Sequence, residues 1–428
     1  MPRISLIGAG SVVFSRRLLQ DIACVPDLKG ATISLMDVDE GRLELITAYA
    51  RKLSKDTRTG LRIEPTTDRR RALDGADYVL TTIRVGDSVE VDYVIPAKYG
   101  VDQAVGDTVG PGGVFKALRT VPVLIDVARD MEALCPDAWL LNYTNPMAIA
   151  CWGITSATKV KTVGLCHSVQ RTTEQLAEYI GAPRESITGW VAGINHMAWF
   201  LRFEKDKRDV YPDLWRALED KVTYAKDPVR FEVMRHFGYF VTESTRHMSE
   251  YTPYFRKDDA LMKRFGLDKV KQDLKRRSDR DDAHFNQLRE DAGATTALRP
   301  MRSDEYACRI IESIETGQPT VINANVPNDG LIDNLPQGSC VEVPCLVDSL
   351  GVHPMAVGEL PPQLAALDRS NIAVQELATR AVLDGSREAA KHAVMVDPLT
   401  SAQLPLDRIS AMFDEMWAAH GDRLVAYT

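Results

Sequence analysis

The 428-residue chain is 45% hydrophobic, 26% charged and only 7% aromatic, and 52 basic against 60 acidic side chains leave a net charge of −8. That is ordinary globular composition with length for two or three domains, and no stretch nears the ~18 uninterrupted apolar residues of a membrane span. Mild acidity (pI near 5.6) argues against nucleic-acid binding. With an N-terminus that opens on strand-like Ile4-Ser5-Leu6-Ile7-Gly8 rather than a leader, these exclusions point to a cytoplasmic protein whose partner is a small molecule.

In chain order, short apolar runs at 3–8, 32–37, 78–83, 139–143 and 161–165 are predicted strands. Between them, residues 11–25, 40–55 and 116–134 carry apolar side chains at helical spacing. Strands separated by helices predict right-handed crossovers and an α/β fold, an N-terminal Rossmann-like doubly wound parallel sheet. A further helix is expected over 170–180. From about residue 200 the chain is richer in charge and helix formers, with helices expected over 261–289, 363–383 and 407–420 and strand-like pieces over 319–324 and 339–346. This predicts a C-terminal α+β, mainly helical domain, and we divide the chain into 1–197 and 198–428. The basic run within 269–280 is read as a solvated helix face.

Gly8-Ala9-Gly10-Ser11 follows the first predicted strand and opens a helix. The first glycine permits a tight turn and the second lets a pyrophosphate approach backbone N–H groups at the helix N-terminus. Val13 stands where a third glycine would be, so the motif alone is weak. Asp37 ends the second strand, where a carboxylate accepts ribose hydroxyls and repels a 2′-phosphate, which favours NAD over NADP. The competing reading is a plain strand-to-helix turn, with Asp37 capping the helix that begins at Glu40.

A second crevice is suggested by Gly164-Leu165-Cys166-His167-Ser168-Val169 at the end of a strand and by Gly193-Ile194-Asn195-His196-Met197. The thiolate of Cys166 and the imidazole of His196 suit a borderline divalent metal and would leave positions open for water or substrate. Taken singly, the plain reading wins for each: a lone Cys on a strand is usually core, and a lone His is usually a satisfied surface or core group. Asn145, before Pro146, either bonds a ligand hydroxyl or only starts a turn. Seven cysteines, odd in number and widely spread, argue against a disulfide framework.

Together with Asp107-Thr108-Val109-Gly110-Pro111-Gly112-Gly113, Asn142-Tyr143-Thr144-Asn145-Pro146-Met147, Gly238-Tyr239-Phe240-Val241-Thr242-Glu243-Ser244 and the block from Asp329 to Gly338, these motifs resemble glycoside hydrolase family 4 over nearly the whole chain. Within it the sequence is most similar to bacterial melibiase-type α-galactosidases. The resemblance implies NAD and a divalent metal, usually Mn²⁺, and a departure from two-carboxylate hydrolysis. It implies oxidation of the sugar at C3, abstraction of the C2 proton, elimination of the aglycone, water addition and re-reduction. Cys166 and His196 then hold the metal, Tyr239 is the expected C2 base, and His167 either protonates the leaving oxygen or bonds a sugar hydroxyl. Asn145, Arg84 and Asp107 are expected at the substrate, with Gly8, Gly10, Ser11 and Asp37 at NAD. The expected partner is a small-molecule α-glycoside, with no nucleic acid and no membrane, and the family expectation is a homo-oligomer, dimer or tetramer. Alternatives keep the mechanism on an α-glucoside or α-uronide, or reduce the chain to a simple NAD-dependent dehydrogenase or an inert NAD-sensing regulator.

Overall fold

The computed structural model describes residues 1–86, 90–267 and 269–428. Six parallel strands lie side by side in the order Arg62–Thr66, Thr32–Met36, Arg3–Ile7, Tyr78–Thr81, Trp139–Asn142 and Lys161–Gly164. This is the strand order of a doubly wound α/β sheet. The inner strands are apolar on both faces because helices cover both, so Ile4, Leu6, Ile33, Leu35, Val79 and Leu140 are all buried. Helices Val12–Cys24 and Glu40–Thr57 cover one side, while Gly110–Leu134 and Leu406–His420 share a separate core on the other. The core under the first pair continues through Trp199, Ile322 and Ile372, so both halves of the chain share it.

Five of the six parallel strands stand where the apolar runs predict them. The sixth, Arg62–Thr66, was not legible: as an edge strand it is nowhere fully buried and carries Pro65, so it has no apolar run. Helix Gly110–Leu134 starts ahead of the expected residue 116, because Pro111 sits in the first turn where its missing N–H costs nothing. Helix Met147–Ala157 is apolar nearly all round and therefore shows no helical period. The single helix expected over 261–289 is two, Asp259–Arg264 and Val270–Gly293.

The sheet does not stop at Lys161–Gly164. It continues through antiparallel strands Thr320–Pro327, Cys340–Asp348, Ile187–Ile194, Met197–Lys205 and Arg208–Asp209, with Gly351–Pro354 beside Cys340–Asp348. Two strands from the far end of the chain thus separate Lys161–Gly164 from Ile187–Ile194. A division after residue 197 falls at the turn of the hairpin Ile187–Ile194/Met197–Lys205. One row of paired residues, Gly164, Asn325, Glu342 and Gly193, crosses this part of the sheet. Among the described residues no helix is long and apolar enough to cross a membrane.

Gly8 has φ +87°, and a Cβ there would lie 2.9 Å from the Thr82 carbonyl carbon. Gly8→Ala is expected to destabilise the protein by about 2 kcal/mol through backbone strain alone, with more from the clash. The check is the urea midpoint, which should fall at unchanged m-value.

Candidate active site

The turn after Arg3–Ile7 is held by the amides of Gly8 and Ala9, which both donate to Met36 O at 2.9 Å. Gly10 N donates to Asp37 Oδ2 at 2.7 Å. A Cβ on Gly10 would meet that oxygen and Arg42 Cβ at 2.8 Å, so only glycine lets the turn approach the second strand this closely. Ser11 is the N-cap of helix Val12–Cys24 and makes no side-chain capping bond. The helix therefore presents first-turn amides at the strand's carboxyl end, the arrangement that receives a phosphate. Asp37 is not the cap of the next helix. That role belongs to Asp39, which accepts from Arg42 N at 2.9 Å, while Asp37 Oδ1 accepts from Asp39 N.

Cys166 follows Lys161–Gly164, two residues past Gly164 of the cross-sheet row. His196 sits in the turn of the hairpin, three residues past Gly193. Glu243 comes just after Val241, which bridges to Trp199 of the same hairpin. These three side chains converge, their ligand atoms all within 4.8 Å of one another. His196 Nε2 is 3.6 Å from Glu243 Oε2. Both His196 (φ 64°) and Glu243 (φ 77°) hold left-handed backbone, a conformation that costs non-glycine residues about 1–3 kcal/mol and is retained where the surroundings dictate it.

The donor set fits a divalent cation: one thiol, one imidazole nitrogen and one carboxylate. Burial pushes the Cys166 thiol up to about 11, and the charge of Glu243 adds to this. Burial also opposes the charge of Glu243, but His196, His247 and His167 outweigh it and hold its carboxyl below the usual range. The site thus has one carboxylate ready and one thiol whose proton a metal would displace.

The cluster opens into a cavity of roughly 430 Å³ lined also by Phe14, Asp107, Asn145 and His167. Phe14 belongs to the first turn of helix Val12–Cys24, so the cavity reaches the helix that the Gly8–Ser11 turn opens. Asp107 is 3.1 Å from Lys116 Nζ and accepts from Thr108 Oγ1. Burial, then the charge of Arg171, lowers the His167 pKa to about 4, which leaves its imidazole neutral at pH 7. Arg246, Arg276 and Arg280 also line the cavity, so the basic run on Val270–Gly293 is more than a solvated face.

Two expected residues lie elsewhere. Arg84 is exposed and does not line the cavity. Tyr239 is absent from the cleft and lines a separate hollow with Tyr211 and Trp215. The cause is local: Phe240 N donates to Tyr211 Oη at 3.0 Å, and this fixes Tyr239 edge-on against the Tyr211 ring, 6.1 Å between centroids. The phenol beside the cluster is instead Tyr251, whose Oη lies 3.2 Å from His196 Nδ1. The same Nδ1 is 2.9 Å from His247 Nε2. Glu243, His247 and Tyr251 were not assigned from sequence. They ride on a four-residue helix, Thr245–Met248, and the turns around it, too short for any period. The available signal was chemical: His247 and Glu250 in an H-x-x-E spacing, beside a tyrosine.

Residues 3–182 match the family 4 glycosyl hydrolases and residues 191–400 match the C-terminal domain of that family. An α-galactosidase of Bacillus subtilis is 43% identical, with 100% of both chains covered. The chain belongs to the family 4 glycosyl hydrolases. It is a glycoside hydrolase, as the sequence motifs imply. An α-galactosidase of Rhizobium meliloti is 36% identical over 99% of this chain and 89% of its own. The 6-phospho-β-glucosidase of Thermotoga maritima, solved with manganese, NAD⁺ and glucose-6-phosphate, superposes with a TM-score of 0.80 at 22% identity, covering 97% of this chain and 98% of that one. At that identity the likeness establishes the shared family 4 fold, and the α/β architecture read from the sequence agrees with it.

Proposed function

We propose that this family 4 enzyme is an NAD- and Mn²⁺-dependent α-galactosidase acting on small, melibiose-like α-galactosides. The observation that carries the reading is the convergence of Cys166, His196 and Glu243 on a cavity that Phe14, in the helix opened by the Gly8–Ser11 turn, also lines. The full-length similarity to α-galactosidases supports the choice of sugar. When bound, NAD⁺ supplies a reversible hydride acceptor for C3 and the cation a Lewis acid at the sugar's O2 and O3.

The chain's own groups have separate tasks in this reading. The Gly8, Gly10 and Ser11 turn, its own amides bonded within the protein, would bring the pyrophosphate to the first-turn amides of helix Val12–Cys24, and Asp37 would disfavour a 2′-phosphate. Cys166, His196 and Glu243 hold the cation. If His196 ligates through Nε2, its Nδ1 carries the proton and shares it between His247 Nε2 at 2.9 Å and Tyr251 Oη at 3.2 Å. Burial and the charges of Glu243, Asp107 and Glu250 push the Tyr251 phenol well above its usual range, which a bound cation would oppose; on its place beside His196 we assign Tyr251, in place of Tyr239, to removal of the C2 proton. Neutral His167 suits a hydrogen bond to a sugar hydroxyl better than proton donation to the leaving oxygen, and Asn145 and Asp107 orient other hydroxyls. All seven cysteines are free thiols, and a ligating Cys166 needs the reducing conditions of a cytoplasm.

A second reading, an α-uronide substrate, is favoured by Arg246, Arg276 and Arg280 in the cavity, since guanidinium groups pair well with a carboxylate. Aryl α-galactosides, α-glucosides, α-galacturonides and their 6-phosphates, assayed with NAD⁺, Mn²⁺ and a thiol reductant, separate the readings. The α-galactoside is expected to lead in kcat/KM by at least about tenfold, the worth of one well-made hydroxyl contact. A substrate deuterated at C2 should lose its label to water, with no net NADH. A lead for the uronide selects the second reading. NADH released one for one with substrate makes the protein a dehydrogenase.

A further inference from the structure

Glu250 is completely buried and lies outside the cluster, yet its carboxylate meets two parts of the site at once. Oε1 accepts from Val105 N at 2.7 Å and Oε2 from Gly106 N at 2.8 Å. Oε2 also faces His247 Nδ1 at 3.6 Å. His247, itself buried, places Nε2 2.9 Å from His196 Nδ1. A line of close contacts, with His247 and Glu250 3.6 Å apart, therefore runs from the imidazole of His196 to two backbone amides immediately before Asp107. Arg256 braces the same turn, with Nη2 4.0 Å from Glu250 Oε1 and Nη1 donating to Asp102 O at 2.9 Å.

The path has a direction. With His196 Nε2 toward Cys166 and Glu243, its Nδ1 must donate, so His247 accepts at Nε2 and carries its proton at Nδ1, facing Glu250. An amide in place of the carboxylate would set an NH₂ group against one of the backbone N–H donors. Only an acceptor with two free oxygens serves both amides and His247.

We propose that Glu250 is a positioning residue that couples metal binding to the order of the 102–107 turn. It fixes the ring orientation of His196 through His247 and holds in place the turn that delivers Asp107 to the cavity. This rests on the metal reading of Cys166, His196 and Glu243. Coupling of this kind is reciprocal: if the held turn tightens metal binding by a factor, metal binding steadies the turn by the same factor.

The test measures Mn²⁺ affinity by electron paramagnetic resonance, and backbone hydrogen exchange across residues 102–109 with and without Mn²⁺. In the unaltered protein Mn²⁺ should slow exchange of the Val105 and Gly106 amides by about 5- to 150-fold. Glu250→Gln and His247→Phe should each weaken Mn²⁺ binding by about 10- to 100-fold and abolish the metal-dependent protection. His247→Gln keeps an acceptor at the same reach and should recover most of the affinity, which a merely structural role for His247 would not give. Should Glu250→Gln fail to fold, His247→Phe carries the test. Mn²⁺ binding that is lost in Cys166→Ser but indifferent to Glu250 and His247 overturns the coupling alone. Mn²⁺ binding that survives Cys166→Ser overturns the metal reading beneath it.

Discussion

Cys166→Ser is expected to abolish Mn²⁺-stimulated glycoside hydrolysis while leaving NAD binding intact. Serine fits the space, so the fold should survive. Its hydroxyl, however, is far less acidic than a thiol, and the Cys166 thiol is already raised to about 11 by burial. A metal that displaces the thiol proton cannot displace the serine proton at neutral pH, and the cluster loses one of its two negative charges. Lewis-acid stabilisation is worth several kcal/mol, so the loss should reach about a thousandfold in rate at saturating substrate. The Gly8–Ser11 turn stands on a different strand, so NAD affinity measured by protein fluorescence should not move. Full Mn²⁺-dependent activity in the variant would remove Cys166 from the metal.

Tyr251→Phe is expected to lower kcat by about 10²- to 10⁴-fold, the usual contribution of a general base, with NAD affinity unchanged and Mn²⁺ affinity largely held by the shorter His247 contact to His196. Only one oxygen is deleted, and the ring of a residue that is 1% exposed keeps its packing. The diagnostic readout is isotopic: substrate recovered from the variant should retain its C2 deuterium. Tyr239→Phe is the matched control. That phenol lines a separate hollow, so kcat should stay within about twofold. The opposite pattern, a large loss at Tyr239 with Tyr251 indifferent, would restore the base to the position expected from sequence.

That pair of residues shows where sequence reading stops. The parallel sheet was legible because each buried strand is a short apolar run, and the Gly8–Ser11 turn because its chemistry is local. Cys166 and His196 were legible as two good ligands, but their meeting depends on a row of pairs through Asn325 and Glu342, far along the chain. Glu243, His247 and Tyr251 lie in turns with left-handed backbone and a four-residue helix, where no hydrophobic period exists to mark them. Tyr239 was drawn to the site by its motif and kept from it by one hydrogen bond from Phe240 to Tyr211.

The strands Thr320–Pro327 and Cys340–Asp348 wedge between Lys161–Gly164 and Ile187–Ile194, and this bears on how the protein can be made. During synthesis the first two hundred residues emerge with two sheet edges whose partners, Thr320–Pro327 and Cys340–Asp348, leave the ribosome more than a hundred residues later. Exposed edges invite pairing with other chains, and contacts so distant in sequence form slowly. A fragment that ends near residue 197 therefore keeps every expected cofactor contact yet lacks the strands that bring Cys166 and His196 together. Splitting the gene there should yield a sticky, metal-blind half rather than a working cofactor module.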